Sequence, residues 1–256
     1  MWWSVIGTGA SSFVTCTDKK TVLKSHKAWE DGEIRPSLSV SFQGALRREA
    51  FMYQHLGMHP NIPPPAAALM RSIPDVHALR LELAPFGNLR GYIWRHKDTP
   101  PPVGVRLDMT LDAARALGHL HSLFVQLSDV SCRNLLFDDH RVKLCDFGSS
   151  LIQGQALDAT DYEEAAYELL LRGRPIMAWV GPFEGDGITE IEEKLAQEVF
   201  PSLEGVVAGE VIERCWHEKR ETVAEVVAAL QKVKGGGGGK ARPVSAMATA
   251  HRQHLP

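Results

Sequence analysis

Three oxygen-bearing side chains, Asp129, Asn134 and Asp146, lie at the ends of two short, largely apolar runs in one stretch of the chain. That stretch reads Phe124-Val125-Gln126-Leu127-Ser128-Asp129-Val130-Ser131-Cys132-Arg133-Asn134-Leu135-Leu136 and then, past a polar turn, Val142-Lys143-Leu144-Cys145-Asp146-Phe147-Gly148. The two runs suit the strands of a hairpin. A carboxylate such as Asp129 can accept a hydroxyl proton. Asn134 and Asp146 are hard oxygen ligands of the kind that suit Mg²⁺ when substrate phosphates complete its octahedron. Turn capping explains each of the three singly, but not the ordered set.

Two further features lie upstream. Gly7-Thr8-Gly9-Ala10-Ser11-Ser12-Phe13-Val14 puts small residues between two predicted strands, where backbone amides can approach a phosphate without obstruction by Cβ. Taken alone, an ordinary hairpin turn accounts for it as well. Lys24 comes ten residues after Val14, inside the apolar Val22-Leu23-Lys24. Its charge there wants an anionic partner, unless the side chain snorkels to water.

The elements that must position these residues are legible from periodicity. Short strands are predicted at Ser4 to Ile6, Phe13 to Thr17 and Thr21 to Ser25, with Gly7-Thr8-Gly9 and Asp18-Lys19-Lys20 as turns, giving an antiparallel sheet. From about Val40 to Leu56 the pattern is helical, with Leu46, Ala50, Tyr53 and Leu56 on one face, and Gly57 stops it. After His59-Pro60-Asn61-Ile62, strands are expected at Ala66 to Ile73 and Ala78 to Leu83, ending in Ala84-Pro85-Phe86-Gly87-Asn88. Leu107, Leu111, Ala114, Leu117 and Leu120 mark a long helix. Further helices are expected near Asp161 to Arg172, Thr189 to Val199, Val206 to Cys215 and Glu221 to Val233. Gly235 to Gly239 and the polar residues after them cannot bury enough apolar area to order, so 235–256 reads as a disordered tail.

Composition excludes several classes. The 256 residues are 44% hydrophobic and 23% charged, enough to bury a full core. Lys and Arg total 28 against 31 for Asp and Glu, a net charge of -3 that gives no reason to expect nucleic acid or an anionic membrane as partner. No apolar run exceeds five residues, which excludes a spanning helix, and Met1-Trp2-Trp3-Ser4-Val5 does not read as a secretory signal. Cys16, Cys132, Cys145 and Cys215 have neither metal-site nor framework spacing, which points to reduced thiols and a cytoplasmic setting.

Over about Val5 to Val233 the sequence resembles the eukaryotic protein kinase family, and within it small fungal kinase-like sequences with a Cys-Asp-Phe element. The resemblance implies an α+β bilobal fold: a β-rich N-lobe with its helix C at about 1–83, a mainly helical C-lobe at about 88–234, and the tail outside the domain. It implies ATP and Mg²⁺ as cofactors and leaves the protein acceptor or regulatory partner open. Gly7, Gly9, Ser12 and Val14 match the glycine-rich loop, with Ser12 replacing the third glycine, while Val22 lines the nucleotide site. Lys24 matches the strand-borne lysine and Glu49 the helix-C glutamate. Leu81 falls at the gatekeeper position, Glu82 and Ala84 face the adenine through their backbone, and Leu136 lies against it. Asp129 matches the catalytic-loop aspartate, Asn134 and Asp146 the two magnesium ligands, and Arg133 a residue that balances γ-phosphate charge, with a plain surface arginine as the alternative.

Departures from the family pattern qualify the function. Leu127-Ser128-Asp129 stands where most members have His-Arg-Asp, which argues against control by a phosphorylated activation loop. Only twelve residues, Ser149 to Thr160, separate Gly148 from Asp161, and no Ala-Pro-Glu is present, so the peptide-binding shelf is absent or rebuilt. Asp161 resembles the buried aspartate that opens the central C-lobe helix, and Arg220 lacks its usual glutamate. Three functions fit these residues: an active ATP-dependent protein kinase, a pseudokinase acting as a nucleotide-binding or interaction module, and a small-molecule phosphotransferase of kinase-like fold.

Overall fold

A lysine in an apolar strand finds its explanation in the sheet that contains it. The computed structural model describes residues 4–64, 78–153, 197 and 203–236, apart from positions 10, 17, 19, 27, 28, 31, 32, 35, 128, 139, 140, 204 and 217–221. Strands β1 (Ser4–Thr8), β2 (Ser12–Cys16), β3 (Thr21–His26) and β6 (Ala78–Glu82) form one antiparallel sheet in the order β1-β2-β3-β6. Val22 stands opposite Leu81 and Lys24 opposite Leu79. Alternation along β3 therefore puts Lys24 on the same face as buried Val22, Leu79 and Leu81. A two-stranded ribbon of β4 (Trp29–Glu30) and β5 (Glu33–Ile34) comes next in the chain, and the sequence pattern did not signal it.

Helix α1 (Pro36–Leu56) begins four residues before the periodicity predicts, with proline at its first position, where a missing N–H has no partner to lose. The predicted face is the buried one: Leu46, Ala50, Tyr53 and Leu56 are all core residues. Gly57 ends the helix in the left-handed region at φ 63°, its N–H bonded to the Tyr53 carbonyl at 3.2 Å. The strand expected at Ala66 to Ile73 lies outside the described residues.

Past β6 the chain turns through Ala84 to Gly87 into α2 (Leu89–Arg95), a short helix that the sequence pattern did not reveal. Asn88 caps it, its Oδ1 accepting the Gly91 N–H at 2.8 Å. Helix α3 (Val103–Ser122) is buried on two faces. Val105, Met109, Ala116 and Leu120 join the main core with α1 and the sheet. Leu107, Leu111 and Ala114 form a second core with α4 (Gly209–Trp216) and α5 (Val223–Gly236), through Val211, Cys215, Val226 and Leu230.

Strands β7 (Val125–Gln126) and β10 (Leu151–Ile152) pair antiparallel, and β8 (Leu135–Phe137) and β9 (Val142–Leu144) form the expected hairpin. This β-rich first part and helical later part make an α+β bilobal fold. One boundary needs correction: Gly235 and Gly236, expected to start a disordered tail, continue α5. Packing of Val226 and Leu230 in the second core, with an ion pair from Lys234 to Asp108 of α3, holds the helix to its end. Residues 237–256 and the helices expected at Asp161 to Arg172 and Thr189 to Val199 lie outside the described residues, apart from Gln197. No described helix is long and apolar enough to cross a membrane.

Candidate functional site

Lys24 is the centre of the site. Its Nζ lies 2.7 Å from Glu49 Oε2 on α1 and 2.6 Å from Asp146 Oδ1 beyond β9, which joins three segments far apart in sequence. The lysine does not snorkel; its side chain is 11% exposed and that of Glu49 2%. Burial works against the ammonium, yet the carboxylates of Glu49 and Asp146 outweigh it and hold the Lys24 pKa well above its ordinary value. Burial pushes the Glu49 carboxyl up, Lys24 opposes this, and the Asp146 charge adds to it. Asp146 is half-exposed and adopts a left-handed φ of 67°, a conformation that aspartate tolerates better than most residues and that aims it back at the sheet.

The neighbours of Asp146 are fixed from both sides. Phe147 is fully buried and meets the Tyr53 ring edge-on, with centroids 5.1 Å apart, and Leu127 lies in the same core. The Gly148 carbonyl accepts a hydrogen bond from Arg48 Nη1 at 3.0 Å. The Cys145 N–H bonds to the Asn134 carbonyl at 2.9 Å, which brings Asp146 beside Asn134 across the open end of the hairpin. Asn134 is buried, and its Nδ2 donates to the Asp129 carbonyl at 3.1 Å. That bond leaves its amide oxygen as the remaining donor atom for a hard cation, so the residue fits the ligand role assigned from sequence. Cys145 is a half-buried free thiol that donates to the Asn134 carbonyl at 3.3 Å, and burial, then the Asp146 charge, push its pKa well up, which disfavours the thiolate.

The other predicted residues lie on the sheet, in the connection after β6 and between Asp129 and the hairpin strand β8. Gly7 and Gly9 lie at the end of β1, and the Gly9 N–H closes the hairpin onto the Ser12 carbonyl at 2.8 Å. A Cβ on Gly7 would meet Val14 at 3.8 Å and one on Gly9 would meet Ser12 at 3.6 Å, ordinary contacts, and neither φ is left-handed. The fold therefore does not itself demand glycine at either position. Ser12 and Val22 are buried, and Val14 packs against the main core. Leu81 is buried on β6, Glu82 ends that strand, and Ala84 is half-buried in the connection, its carbonyl accepting the Gly87 N–H at 3.0 Å. Leu136 is half-buried on β8, directly opposite Lys143. Asp129 is half-buried, and Arg133 is exposed in the turn before Asn134, outside the ion-pair cluster of Lys24, Glu49 and Asp146. Ser128, Asp161 and Arg220 lie outside the described residues.

Sequence reasoning missed a brace behind the hairpin. The Leu144 N–H bonds to the Asn61 carbonyl at 2.8 Å, Asn61 Nδ2 to the Val142 carbonyl at 3.0 Å, and the Val142 N–H to Asp112 Oδ2 at 3.2 Å. A lone acid on the apolar face of α3 was the available signal for Asp112. Burial raises the pKa of its carboxyl, against the hydrogen bonds from Val142 and Asn61.

Chemically, the cluster holds a desolvated cation anchored from behind by Glu49 and capped by a half-exposed carboxylate. A phosphate chain arriving with a divalent cation can take the ammonium while the metal takes Asp146. Among the described residues no group of three or more His, Cys, Asp or Glu could hold a metal.

The family described as the protein kinase domain matches residues 3–165 of this chain. A protein of Arabidopsis thaliana named serine/threonine/tyrosine-protein kinase HT1 is 29% identical over 202 residues, 68% of this chain and 51% of its own length. The Dictyostelium discoideum dual specificity protein kinase shkC is 32% identical over 157 residues, 58% of this chain and 28% of its own. Fibroblast growth factor receptor 1 of Dugesia japonica is 30% identical over 117 residues, 41% of this chain and 13% of its own. The chain thus spans about half, or less, of these relatives.

Proposed function

The chain belongs to the protein kinase family, and from that premise we propose that it transfers the γ-phosphoryl group of ATP to a protein hydroxyl. The observation that carries this reading is Lys24 seated between Glu49 and Asp146. Phosphoryl transfer needs little covalent help from a protein and is driven by positioning and charge neutralisation. Lys24, held by Glu49, orients the α- and β-phosphates. Gly7 and Gly9 let the backbone close over the phosphate chain, and Val14, Val22, Leu81 and Leu136 enclose the adenine, which the Glu82 and Ala84 backbone meets. Asn134 and Asp146 would hold Mg²⁺, which when bound neutralises charge on the phosphate oxygens. Asp129 orients the acceptor hydroxyl and takes its proton as the new oxygen–phosphorus bond forms and ADP departs with the electrons of the broken one. Arg133 balances charge on the γ-phosphate from the surface. The four free cysteines accord with a reducing, cytoplasmic setting.

A second reading is a pseudokinase acting as a nucleotide-binding or interaction module, or a phosphotransferase for a small acceptor. It is favoured by the twelve residues between Gly148 and Asp161, which reach at most about 40 Å fully extended and leave little chain for a peptide shelf. Nucleotide binding belongs to the first reading and to every form of the second except a pure interaction module. MgATP should raise the melting temperature, as a ligand of the native state must, and Lys24→Met and Asp146→Asn should each reduce the shift. Folded protein with no shift at millimolar MgATP would sink the transfer reading and leave only an interaction module that binds no nucleotide.

A further inference from the structure

Lys143 lies on β9 directly opposite Leu136, so the two side chains share one face of the hairpin. Its ammonium reaches 2.6 Å from Glu82 Oε2, at the end of β6, and 3.0 Å from Asp138 Oδ2, just past β8. The side chain is 14% exposed, against 50% for Glu82 and 22% for Asp138. One cation therefore ties the connection between the lobes to the strand beneath it. We propose that Lys143 is a positioning residue for the nucleotide base, fixing the spacing between the Glu82–Ala84 connection and the Leu136 floor that together receive a flat ring.

This inference rests on the nucleotide-binding reading of the site. Other contacts at this junction hold the backbone but not the spacing at Glu82. The Phe137 N–H bonds to the Gly87 carbonyl at 2.8 Å and the Phe86 N–H to the Phe137 carbonyl at 3.3 Å, both past the turn and four or more residues beyond Glu82. Arg95 Nη2 donates to the Phe86 carbonyl at 2.6 Å. At Glu82 itself, the side chain is tied to the lower hairpin by Lys143. Burial alone would lower the Lys143 pKa, but its hydrogen bonds to Glu82 and Asp138 raise it, so the ammonium stays charged across the neutral range. Asp138 is itself fixed, its Oδ1 accepting the Arg141 N–H at 2.7 Å, so the cation pivots on a rigid turn.

A base-positioning role separates from a general structural one by ligand fragment. Affinities of wild type, Lys143→Met and Lys143→Arg are measured by calorimetry for adenosine, which carries only the base and sugar, and for magnesium tripolyphosphate, which carries only the phosphates. Lys143→Met should weaken adenosine about two- to fivefold, the scale of a part-exposed ion pair, and leave tripolyphosphate unchanged. Lys143→Arg should restore most of the adenosine affinity, and Glu82→Gln should add little to Lys143→Met, since both break the same link. Equal weakening of both fragments, or unaltered adenosine binding, would overturn the proposal while the nucleotide site stood. Wild type that binds neither fragment nor MgATP would overturn the nucleotide-binding reading and this proposal with it.

Discussion

Replacing Lys24 by methionine removes the cation but keeps the length of the side chain, so the burial of its two partners sets the cost. Glu49 then stays 2% exposed without the ammonium that now lies 2.7 Å from it. Breaking a buried ion pair by deleting one partner costs about 3–5 kcal/mol, because the other charge is left desolvated. Asp146 is 48% exposed and can turn to water, so it adds little. The lower end, about 3 kcal/mol at pH 8, is expected. Glu49 has an escape, which sets the pH dependence. Burial already raises its pKa above the ordinary 4.5, and Lys24 is the group that opposes the rise. Without Lys24 the native carboxyl holds its proton more tightly still. A raised acid favours the folded state at low pH and loses that advantage as pH climbs from the ordinary value through the native one. The destabilisation should therefore shrink as pH falls from 8 to 5, by about 1.4 kcal/mol for each unit that lies within that window. Urea unfolding of both proteins at pH 5 and pH 8 reads this directly, and adding Glu49→Gln should recover most of the loss at pH 8. A loss below about 1 kcal/mol at pH 8, or one that does not change with pH, would refute a buried carboxylate neutralised by Lys24.

Three other outcomes are expected. Phe147→Ala, which empties a fully buried site beside Tyr53, should destabilise by about 3–5 kcal/mol in urea unfolding and also weaken MgATP, because Asp146 loses its neighbour; wild-type stability would contradict the packing. Cys145 should resist iodoacetamide in the folded protein and react once it is unfolded, since burial and the Asp146 charge suppress its thiolate; prompt native-state labelling at Cys145 by mass spectrometry would contradict this. His59, stacked on His119 with centroids 4.4 Å apart, is held below its ordinary 6.5 by burial, by His119 and by Arg141, and burial holds His121 down as well. Such bases contribute stability that is present above 6.5 and lost as pH falls through the native value, so the melting temperature should drop between pH 7 and pH 5, and less steeply in His59→Asn. An equal drop in that variant would show that His59 contributes nothing to it.

The elements that carry the site were legible because they obey short-range rules, whereas Glu49 was singled out by the resemblance to protein kinases alone. Lys24, Asn134 and Asp146 each lie in or beside a strand whose alternation shows in the sequence, and Leu46, Ala50, Tyr53 and Leu56 mark the helix that carries Glu49. The features that escaped did so for physical reasons. Helix α2 has seven residues, too few for a period to emerge, and its main signal is the cap at Asn88. Strands β7 and β10 have two residues each and exist because they pair with one another. The contacts of Asp112 with Val142 and of Lys143 with Glu82 span 30 and 61 residues, and periodicity carries no information at that range. Polar side chains on otherwise apolar elements were the trace these contacts left.

The central claim is phosphoryl transfer with Asp129 as the base, and transfer of label from γ-³²P ATP tests it most directly. Wild type and Asp129→Asn, both shown by thermal shift to bind MgATP, are incubated with a generic protein acceptor and alone. Removing a positioned general base typically slows such a step about 10²–10⁴-fold. Magnesium-dependent incorporation by wild type, reduced at least about a hundredfold in Asp129→Asn with binding retained, is the result predicted. Equal labelling by the two proteins, or none by wild type that binds MgATP, would contradict it.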